Sequence, residues 1–377
     1  MRLSKFTGLN TIDSPLDVGI GGLTSVKNMD IDHNGKLSTR NGFTKILNTP
    51  IIAMNGGIVL CANGDLLRIN HANSIETLAQ GIIGNTICCV DIAGNTYFST
   101  GNYNGVISGS AIRAMGLLPP QVEFSVSLGN LPAGNYLISA TSVSEDGRES
   151  GSNAAQVVGV GDNSSISVLV DLPSDATTAN IYASGQNGEE LFYQTTSTHL
   201  TLTGLDALLN SGEPINREYK GMMPTGQLIE EYNGHLLIAD NENLYFSEPL
   251  DYELCDYMNN IIPFDSQITM IRSVTTGVYV STSKEVLFAS GDTPDKWVFR
   301  QAYPFPAYFN SSKMQPASLV GQGGIGRSAI FVTPQGICIG NQDGIVTNVS
   351  ERKIKLLPHT GNVSAVVKHN IYMVSLS

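Results

Sequence analysis

A repeated pattern of two short apolar runs joined by a polar turn constrains the fold of this chain most strongly. The pattern is clearest in YNGHLLIADNENLYFSEPL, residues 232–250, and it recurs at 56–70, 84–100, 276–291 and 326–344. A unit of two strands with weaker flanking strands, recurring about every 40 residues, is typical of the blades of a β-propeller. We therefore predict an all-β chain built as a β-propeller of about six blades.

The composition agrees with a folded, β-rich protein. The 377 residues are 41% hydrophobic and only 14% charged, and 39 glycines and 16 prolines divide the chain into short segments. Its apolar runs stay well short of the roughly 18–20 residues that a membrane-spanning helix needs, so we expect no membrane-spanning segment. The N-terminus MRLSKFTGLNTIDSP lacks a charged segment followed by an apolar one, so we expect no secretory signal and synthesis in a cytosol.

The two ends of the chain are predicted to close the propeller. A first run turns at His33-Asn34-Gly35 into a second run at 36–40, and the chain ends in NIYMVSLS. Asn-Gly between extended runs is a strong hairpin signal. A blade shared by the two termini leaves few free strand edges, so we expect Met29–Ile31 to pair with Ile371–Val374.

Between residues 119 and 221 the pattern changes to longer strands in which Ser, Thr and Val alternate regularly. Pro119, Pro120 and Pro224 mark its borders, because proline stiffens a linker and cannot continue a strand ladder. Six or seven such strands over about 100 residues are typical of a fibronectin- or immunoglobulin-like β-sandwich, and the absence of cysteine excludes a disulfide-pinned one. We predict three parts: residues 1–118 as the first part of the propeller with the N-terminal closing strands, 119–221 as an inserted β-sandwich, and 222–377 as the second part of the propeller.

The cysteines and histidines do not indicate a metal site, and the net charge does not favour nucleic-acid binding. The cysteines form no CxxC pair and we interpret them as buried thiols, while the histidines stand singly without HExxH spacing. A net charge of −12 argues against a protein that grips nucleic acid by neutralising phosphates. These residues are Cys61, Cys88, Cys89, Cys255, Cys338, His33, His71, His199, His235, His359 and His369.

Two motifs match the sequence patterns of known binding loops but lack the structural context of those loops. Asp30-x-Asp32-x-Asn34-Gly35 begins like a calcium-binding EF-hand loop, but the acid required at its twelfth position falls on Asn41 and no helices flank it, so a hairpin turn is favoured. GQGGIG, residues 321–326, matches the dinucleotide-binding glycine pattern but stands between predicted strands. We interpret it as a flexible loop.

Catalytic residues are also not indicated. Some propellers hydrolyse glycosides with paired carboxylates, and Asp240, Glu242, Glu248 and Asp251 cluster near one predicted blade. Carboxylates in turns are usually solvated, the single Trp297 has no sialidase-type repeat around it, and no GxSxG elbow is present. We predict that the chain is not an enzyme and has no catalytic, cofactor-binding or metal-binding residues.

The stretch from residue 233 to residue 291 resembles β-propeller proteins that are structural components of short-tailed, podovirus-like bacteriophage virions. That family reads N-G-x-L, L-Y-[FY]-S-E-P-L, I-P-F, I-T-x-[IL], G-[LV]-[YW]-V-x-T and [LF]-x-S-G, and the corresponding residues here are 233–236, 244–250, 262–264, 268–271, 277–282 and 288–291. NMDIDHNGKLSTRNGF and LPAGNYLISATSVSEDGRESG resemble the family's opening and its inserted sandwich. The resemblance thus covers nearly the whole chain in order, although Asn41 stands where the family often has proline and the match after Gly291 is loose.

This resemblance implies a tail nozzle or tail-hub protein in the virion. Such a protein is a non-enzymatic, homo-oligomeric ring subunit, with a hexamer favoured, that contacts an adaptor ring above and a needle or fibres below. DNA passes through its lumen only transiently. The alternative is a carbohydrate- or receptor-binding propeller at the tail tip. Sugar sites stack aromatic rings in loops, whereas Tyr97, Tyr245 and Tyr279 fall within predicted strands.

Overall fold

The chain divides into two compact units, each of which is discontinuous in sequence. Unit 1 comprises residues 1–82, 239–243 and 263–377, and unit 2 comprises residues 83–238 and 244–262. A computed structural model describes residues 5–32, 34–40, 42, 44–70, 72–203, 209–321, 326–354, 359, 361, 363–368 and 371–376.

The first third of the chain consists of short strands joined by tight turns. Two small two-stranded sheets come first, namely β1 (Gly8–Leu9) with β2 (Gly22–Leu23), and β3 (Met29–Ile31) with β4 (Leu37–Thr39). Two four-stranded antiparallel sheets follow: β5 (Ile51–Asn55), β6 (Ile58–Cys61), β7 (Leu66–Ile69) and β8 (Ile75–Ala79), then β9 (Cys88–Ile92), β10 (Asn95–Ser99), β11 (Asn104–Ser108) and β12 (Ala111–Ala114). Within each sheet, strands that follow one another in sequence lie side by side.

The next seven strands form two sheets around one core. They are β13 (Gln121–Leu131), β14 (Gly134–Val143), β15 (Gln156–Val160), β16 (Ser164–Asp171), β17 (Thr178–Ala183), β18 (Phe192–Thr196) and β19 (His199–Leu202). One sheet has the order β13-β16-β19 and the other β15-β14-β17-β18, and both contribute side chains to a single apolar cluster that includes Tyr136, Ile138, Ile166 and Ile181. These strands form the expected β-sandwich. The boundaries at residues 119 and 221 stay predictions, because unit 2 also includes residues on either side of them.

The remaining strands return to the earlier pattern. They are β20 (Lys220–Met222), β21 (Leu228–Tyr232), β22 (His235–Asp240), β23 (Asn243–Phe246), β24 (Leu254–Asp256), β25 (Ile261–Pro263), β26 (Ile268–Val274), β27 (Gly277–Thr282), β28 (Val286–Ser290), β29 (Val298–Tyr303), β30 (Lys313–Pro316), β31 (Arg327–Thr333), β32 (Gly336–Gly340), β33 (Val346–Asn348), β34 (Val363–Lys368) and β35 (Ile371–Leu376). They form four-stranded sheets in the orders β21-β22-β23-β25, β26-β27-β28-β29 and β30-β31-β32-β33, and the pairs β20-β24 and β34-β35. Two 3₁₀ helices span Pro294–Lys296 and Ala317–Val320.

Each of the five sequence repeats coincides with two adjacent strands of one four-stranded sheet. The repeat at 232–250 contains β22 and β23, for example, and the repeat at 276–291 contains β27 and β28. The turn before β22 shows why the pattern is readable: Asn233 and Gly234 both have positive φ, 46° and 80°, as a tight hairpin turn requires. The prediction of an all-β chain with this repeated unit is confirmed.

Neighbouring sheets within a unit share apolar cores. In unit 2 one cluster combines side chains from the β9–β12 sheet, such as Cys88 and Val106, with Ile229 and Leu236 of β21 and β22. In unit 1 another cluster joins the β26–β29 sheet to the β30–β33 sheet through fully buried Tyr279 and Phe331. Among the described residues, no helix is long and apolar enough to cross a membrane.

The predicted pairing between the two chain ends is wrong for the residues that the structure describes. Met29–Ile31 is β3, which pairs with β4, and Ile371–Val374 lies in β35, which pairs with β34. Both pairings join neighbours in sequence, for which the entropy lost on closing a short loop is small. Each end therefore forms its own hairpin.

Candidate functional site

A charged cavity of about 210 Å³ lies within unit 2, between the sandwich and the strands that flank it in sequence. Four parts of the chain line it: the β9–β12 sheet with the residues that follow it, the loop after β14, the end of β20, and the segment that leads into β24. The lining residues are Tyr97, Arg113, Gly116, Leu117, Asp146, Arg148, Glu149, Ser150, Met222, Leu250, Asp251, Tyr252, Glu253 and Leu254.

Glu253 has the least exposed side chain of the four carboxylates that line this cavity. Arg113 donates two hydrogen bonds to it, from Nη1 to Oε2 at 2.8 Å and from Nη2 to Oε1 at 2.6 Å, and the Gly116 N–H donates to Oε2 at 2.6 Å. Arg148 Nη1 lies 3.4 Å from Oε2. The Glu253 side chain is only 11% exposed, so these bonds replace most of its water. Such bidentate Arg–carboxylate bonds are among the strongest in proteins.

A second set of ion pairs extends the cluster along the same loop. Arg217 Nε lies 3.1 Å from Glu149 Oε2 and Arg217 Nη2 lies 3.1 Å from Asp251 Oδ2, while its Nη1 donates to the Glu149 carbonyl at 2.9 Å. Lys220 Nζ lies 2.8 Å from Glu248 Oε2. Residues of the sandwich are thus tied to the 248–253 loop through several independent contacts.

A tight turn positions Arg148, the sandwich residue that contacts Glu253. At Glu145-Asp146-Gly147, which the sequence predicts as a turn, the Gly147 N–H donates to the Ser144 carbonyl at 3.1 Å and Gly147 has φ +82°. Arg148 leaves this turn with its Nε bonded to both Asp146 oxygens at 2.9 and 3.0 Å. The same guanidinium thereby holds the turn and reaches Glu253.

The 248–253 loop carries backbone strain. Leu250 has φ +61°, a left-handed conformation that a bulky residue rarely adopts, and its side chain is 77% exposed. Its N–H donates to the Gly234 carbonyl at 2.7 Å. The sequence does not predict a positive φ at Leu250, because glycine or asparagine usually occupies such a position.

Three of the four carboxylates weighed for catalysis make structural contacts, namely Asp240, Glu248 and Asp251. Glu248 and Asp251 each bind a cation, Lys220 and Arg217. Asp240 Oδ1 accepts a hydrogen bond from Asn241 Nδ2 at 3.2 Å, and the Glu242 carbonyl accepts one from the Phe264 N–H. Within the described ranges, no group of three or more His, Cys, Asp and Glu side chains is placed to hold a metal ion.

The motif that begins like a calcium-binding loop forms a hairpin turn. Asp32 Oδ1 accepts the backbone N–H groups of Asn34 and Lys36 at 2.9 and 2.8 Å, and Asp30 pairs with Arg40, so this segment is the expected hairpin turn. Asn41 and residues 322–325 of the glycine motif lie outside the described residues, as do His33, His71 and His369.

The remaining histidines, cysteines and aromatic residues serve packing. His235 is buried with Nδ1 2.7 Å from the Ser247 carbonyl, His199 Nε2 lies 3.4 Å from the Thr201 hydroxyl, and the His359 N–H donates to the Tyr308 hydroxyl. The cysteines are free thiols, all buried except the partly exposed Cys89.

The tyrosines weighed for sugar stacking lie in strands, as predicted. Tyr97 of β10 is 7% exposed and contacts Tyr252 edge-on at 5.9 Å, Tyr245 lies in β23 against an apolar core, and Tyr279 of β27 is fully buried. Burial and the nearby Glu253 charge raise the pKa of Tyr97 to about 12. Tyr279 presents no ring face for a ligand to stack on.

The pKa of Asp146 predicts a pH effect on this site. Burial alone raises that pKa, but hydrogen bonds from Ser144 and Arg148 and the charges of Arg148 and Arg113 lower it from 3.8 to about 2. The resulting stabilisation is fully present above pH 3.8 and is lost as the pH falls towards 2. We expect the melting temperature of Asp146→Asn to fall less than that of the wild type as the pH drops from 3.8 towards 2. The difference should be modest, because the Asp146 side chain is half exposed. Glu145→Gln is the control, and an identical pH profile for Asp146→Asn and the wild type would contradict the assignment.

Comparison with known proteins does not assign this chain to a family. No family model matches it, and no curated protein matches it. Similar solved structures include KlHsv2 with loop 6CD replaced by a Gly-Ser linker (9% identity, 87% of this chain and 90% of that chain covered, TM-score 0.32) and AztD from Citrobacter koseri (11%, 79% and 84%, TM-score 0.26). PorZ from Porphyromonas gingivalis is similar at 11% identity over 83% of this chain and 54% of that chain, with a TM-score of 0.19. Scores this low establish neither a shared fold nor a shared function.

Proposed function

We propose that this chain is a virion structural protein, a tail nozzle or tail-hub ring subunit of a short-tailed bacteriophage. The observation that carries the proposal is that the family phrases fall on the strands and turns of two successive four-stranded sheets. LYFSEPL covers β23 and the loop that carries Glu248, Leu250 and the ion-pair cluster, while the phrases at 277–282 and 288–291 cover β27 and the end of β28.

We propose that the five four-stranded sheets outside the sandwich are blades of one β-propeller. Sequential strand order within each sheet supports this arrangement, as do the cores shared between neighbouring sheets in each unit.

A structural role fits the chemistry of the charged cavity. Its carboxylates are held by arginine and lysine side chains, an arrangement that fixes the sandwich to the neighbouring loop and leaves them poorly placed for acid–base catalysis. In this proposal the cavity is a junction that holds the inserted module in one orientation. A rigid junction suits a subunit on which other tail parts assemble.

The charge of the chain suits a DNA channel. Six copies with a net charge of −12 each would carry −72, a field that opposes phosphate adsorption wherever acidic side chains reach the lumen. A positive lumen would add phosphate contacts and slow the passage of DNA. The partners proposed are five further copies, an adaptor ring above and a needle or fibres below, with DNA in transit. A head-to-tail contact between copies can be weak in dilute solution, so the ring is expected to form with those tail partners.

Two measurements test this proposal together. Quantitative mass spectrometry of purified phage particles should find the chain in a fixed ratio to the other tail proteins, near six copies per particle. A filter-binding assay with duplex DNA at low salt should give weak binding, with no saturation at nanomolar protein. Absence of the chain from purified particles, or nanomolar affinity for duplex DNA, would contradict the nozzle function.

A further inference from the structure

The first strand of the sandwich leaves apolar side chains uncovered. β13 is the edge strand of the three-stranded sheet β13-β16-β19, and every residue from Glu123 to Leu128 is exposed. Phe124, Val126 and Leu128 are 42%, 48% and 92% exposed. Six consecutive exposed residues on an edge strand mean that both of its faces and its free edge are open to solvent.

These side chains belong to the core face of the sheet. Phe124 is directly opposite Val168, and Val126 is directly opposite Ile166, and both partners on β16 are fully buried in the sandwich core. Residues directly opposite each other in an antiparallel pair point to the same face of the sheet. The core face therefore continues along β13 past the region that the second sheet covers, as an apolar strip of roughly 300 Å², a size at which such patches are often functional.

β13 lacks the usual features that prevent pairing at an edge. Natural edge strands carry lysine, proline, inward charges or a bulge. From Gln121 to Leu131 the chain has no lysine, arginine or proline, and the register shift with β16 comes only after Leu128. Gln156 Nε2 donates to the Val122 carbonyl at 3.3 Å and covers the beginning of the strand. The open segment is therefore 123–128.

We propose that β13 pairs with β13 of a second copy of this chain, antiparallel about a twofold axis at Ser125. The sequence is self-complementary in this register. Phe124 lies opposite Val126 twice, and Glu123 lies opposite Ser127 rather than another carboxylate. The two exposed strips then form one continuous apolar face, and the three-stranded sheets join into one sheet of six strands.

The contact is weak by area. A strip of roughly 300 Å² is less than half of the ~800 Å² that each partner contributes to a standard interface, so we expect a dimer in the micromolar range. A twofold contact joins two copies and cannot by itself build a ring. The pairing is therefore separate from the ring contact of the proposed function, and either can fail without the other.

Sedimentation velocity of the full chain over a concentration series tests the pairing. The wild type should change from monomer to dimer in the micromolar range, and Val126→Lys should weaken the dimer at least tenfold. Val157→Lys is the matched control: Val157 is 60% exposed but belongs to β15, in the other sheet, and its variant should dimerise like the wild type. A chain that stays monomeric, or a Val126→Lys variant that dimerises normally, would overturn the proposal.

A cysteine cross-link tests the register without depending on a charge. Ser125→Cys places a thiol directly opposite its own copy, within reach of a disulfide, whereas Ser127→Cys faces Glu123. Mild oxidation should give a covalent dimer for Ser125→Cys at least tenfold faster than for Ser127→Cys or for the wild type, whose partly exposed Cys89 sets the background. Equal rates for the two variants would exclude this register.

Discussion

Replacing Glu253 by alanine is expected to lower the free energy of unfolding by about 2–4 kcal/mol, because it leaves Arg113 without its carboxylate and removes one of the two carboxylate partners of Arg148. Glu253 accepts hydrogen bonds from Arg113 and the Gly116 N–H and lies beside Arg148, with only 11% of its side chain exposed. The arginine side chains are 29% and 24% exposed, so water can replace part of what they lose. Urea unfolding, followed by the circular dichroism of the backbone, measures the change.

A solvent-exposed ion pair is the control for Glu253. Lys284 and Asp265 lie 2.6 Å apart with side chains 58% and 73% exposed, and Lys284→Ala is expected to leave the unfolding curve unchanged. Equal effects of the two substitutions would mean that the cluster around Glu253 contributes no more than a surface pair. Glu253→Gln should be intermediate, because its amide oxygen can still accept one hydrogen bond from Arg113.

Gly151→Ala is expected to lower the free energy of unfolding by about 3 kcal/mol. This is the upper end of the cost that is typical when a larger side chain is placed in a well-packed site. A Cβ atom at Gly151 would lie 1.8 Å from the Lys220 carbonyl oxygen, which is backbone and cannot move away as a side chain can. Relief of the clash would move β20 away from Ser150 and disturb the Lys220–Glu248 ion pair. Thermal melting measures the effect.

Gly161 provides the matched control. A Cβ atom there would have no neighbour within 4 Å, and its backbone is not in the left-handed region, so Gly161→Ala should melt like the wild type. If Gly151→Ala also melted like the wild type, the close packing of the sandwich against β20 would be wrong.

The repeated strands could be predicted because their signals are local. A tight turn at Asn233-Gly234 requires positive φ at both residues, and short apolar runs of strand length lie on either side of it, so the hairpin can be predicted from a few adjacent residues. The Glu145-Asp146-Gly147 turn and the Asp32 turn were predictable for the same reason.

The charged cavity could not be predicted because its contacts are distant in sequence. Glu253 lies 140 residues from Arg113 and 105 from Arg148, and nothing in the sequence around an arginine identifies a partner so far away. The sequence places Glu248 and Asp251 near one predicted blade, but it does not identify the lysine and arginine that bind them. The pairing of the two chain ends was predicted wrongly because a general expectation about propeller closure outweighed the nearer partners β4 and β34.

Single-particle cryo-electron microscopy of the purified phage tail tests the proposed function most directly. The proposal predicts a ring of six copies of this chain around the DNA channel, below the adaptor ring, with the strands 121–202 visible as a sandwich on each subunit. A tail reconstruction in which the channel wall is built entirely from other chains, with this chain absent or present only as separate monomers at the tail tip, would contradict it.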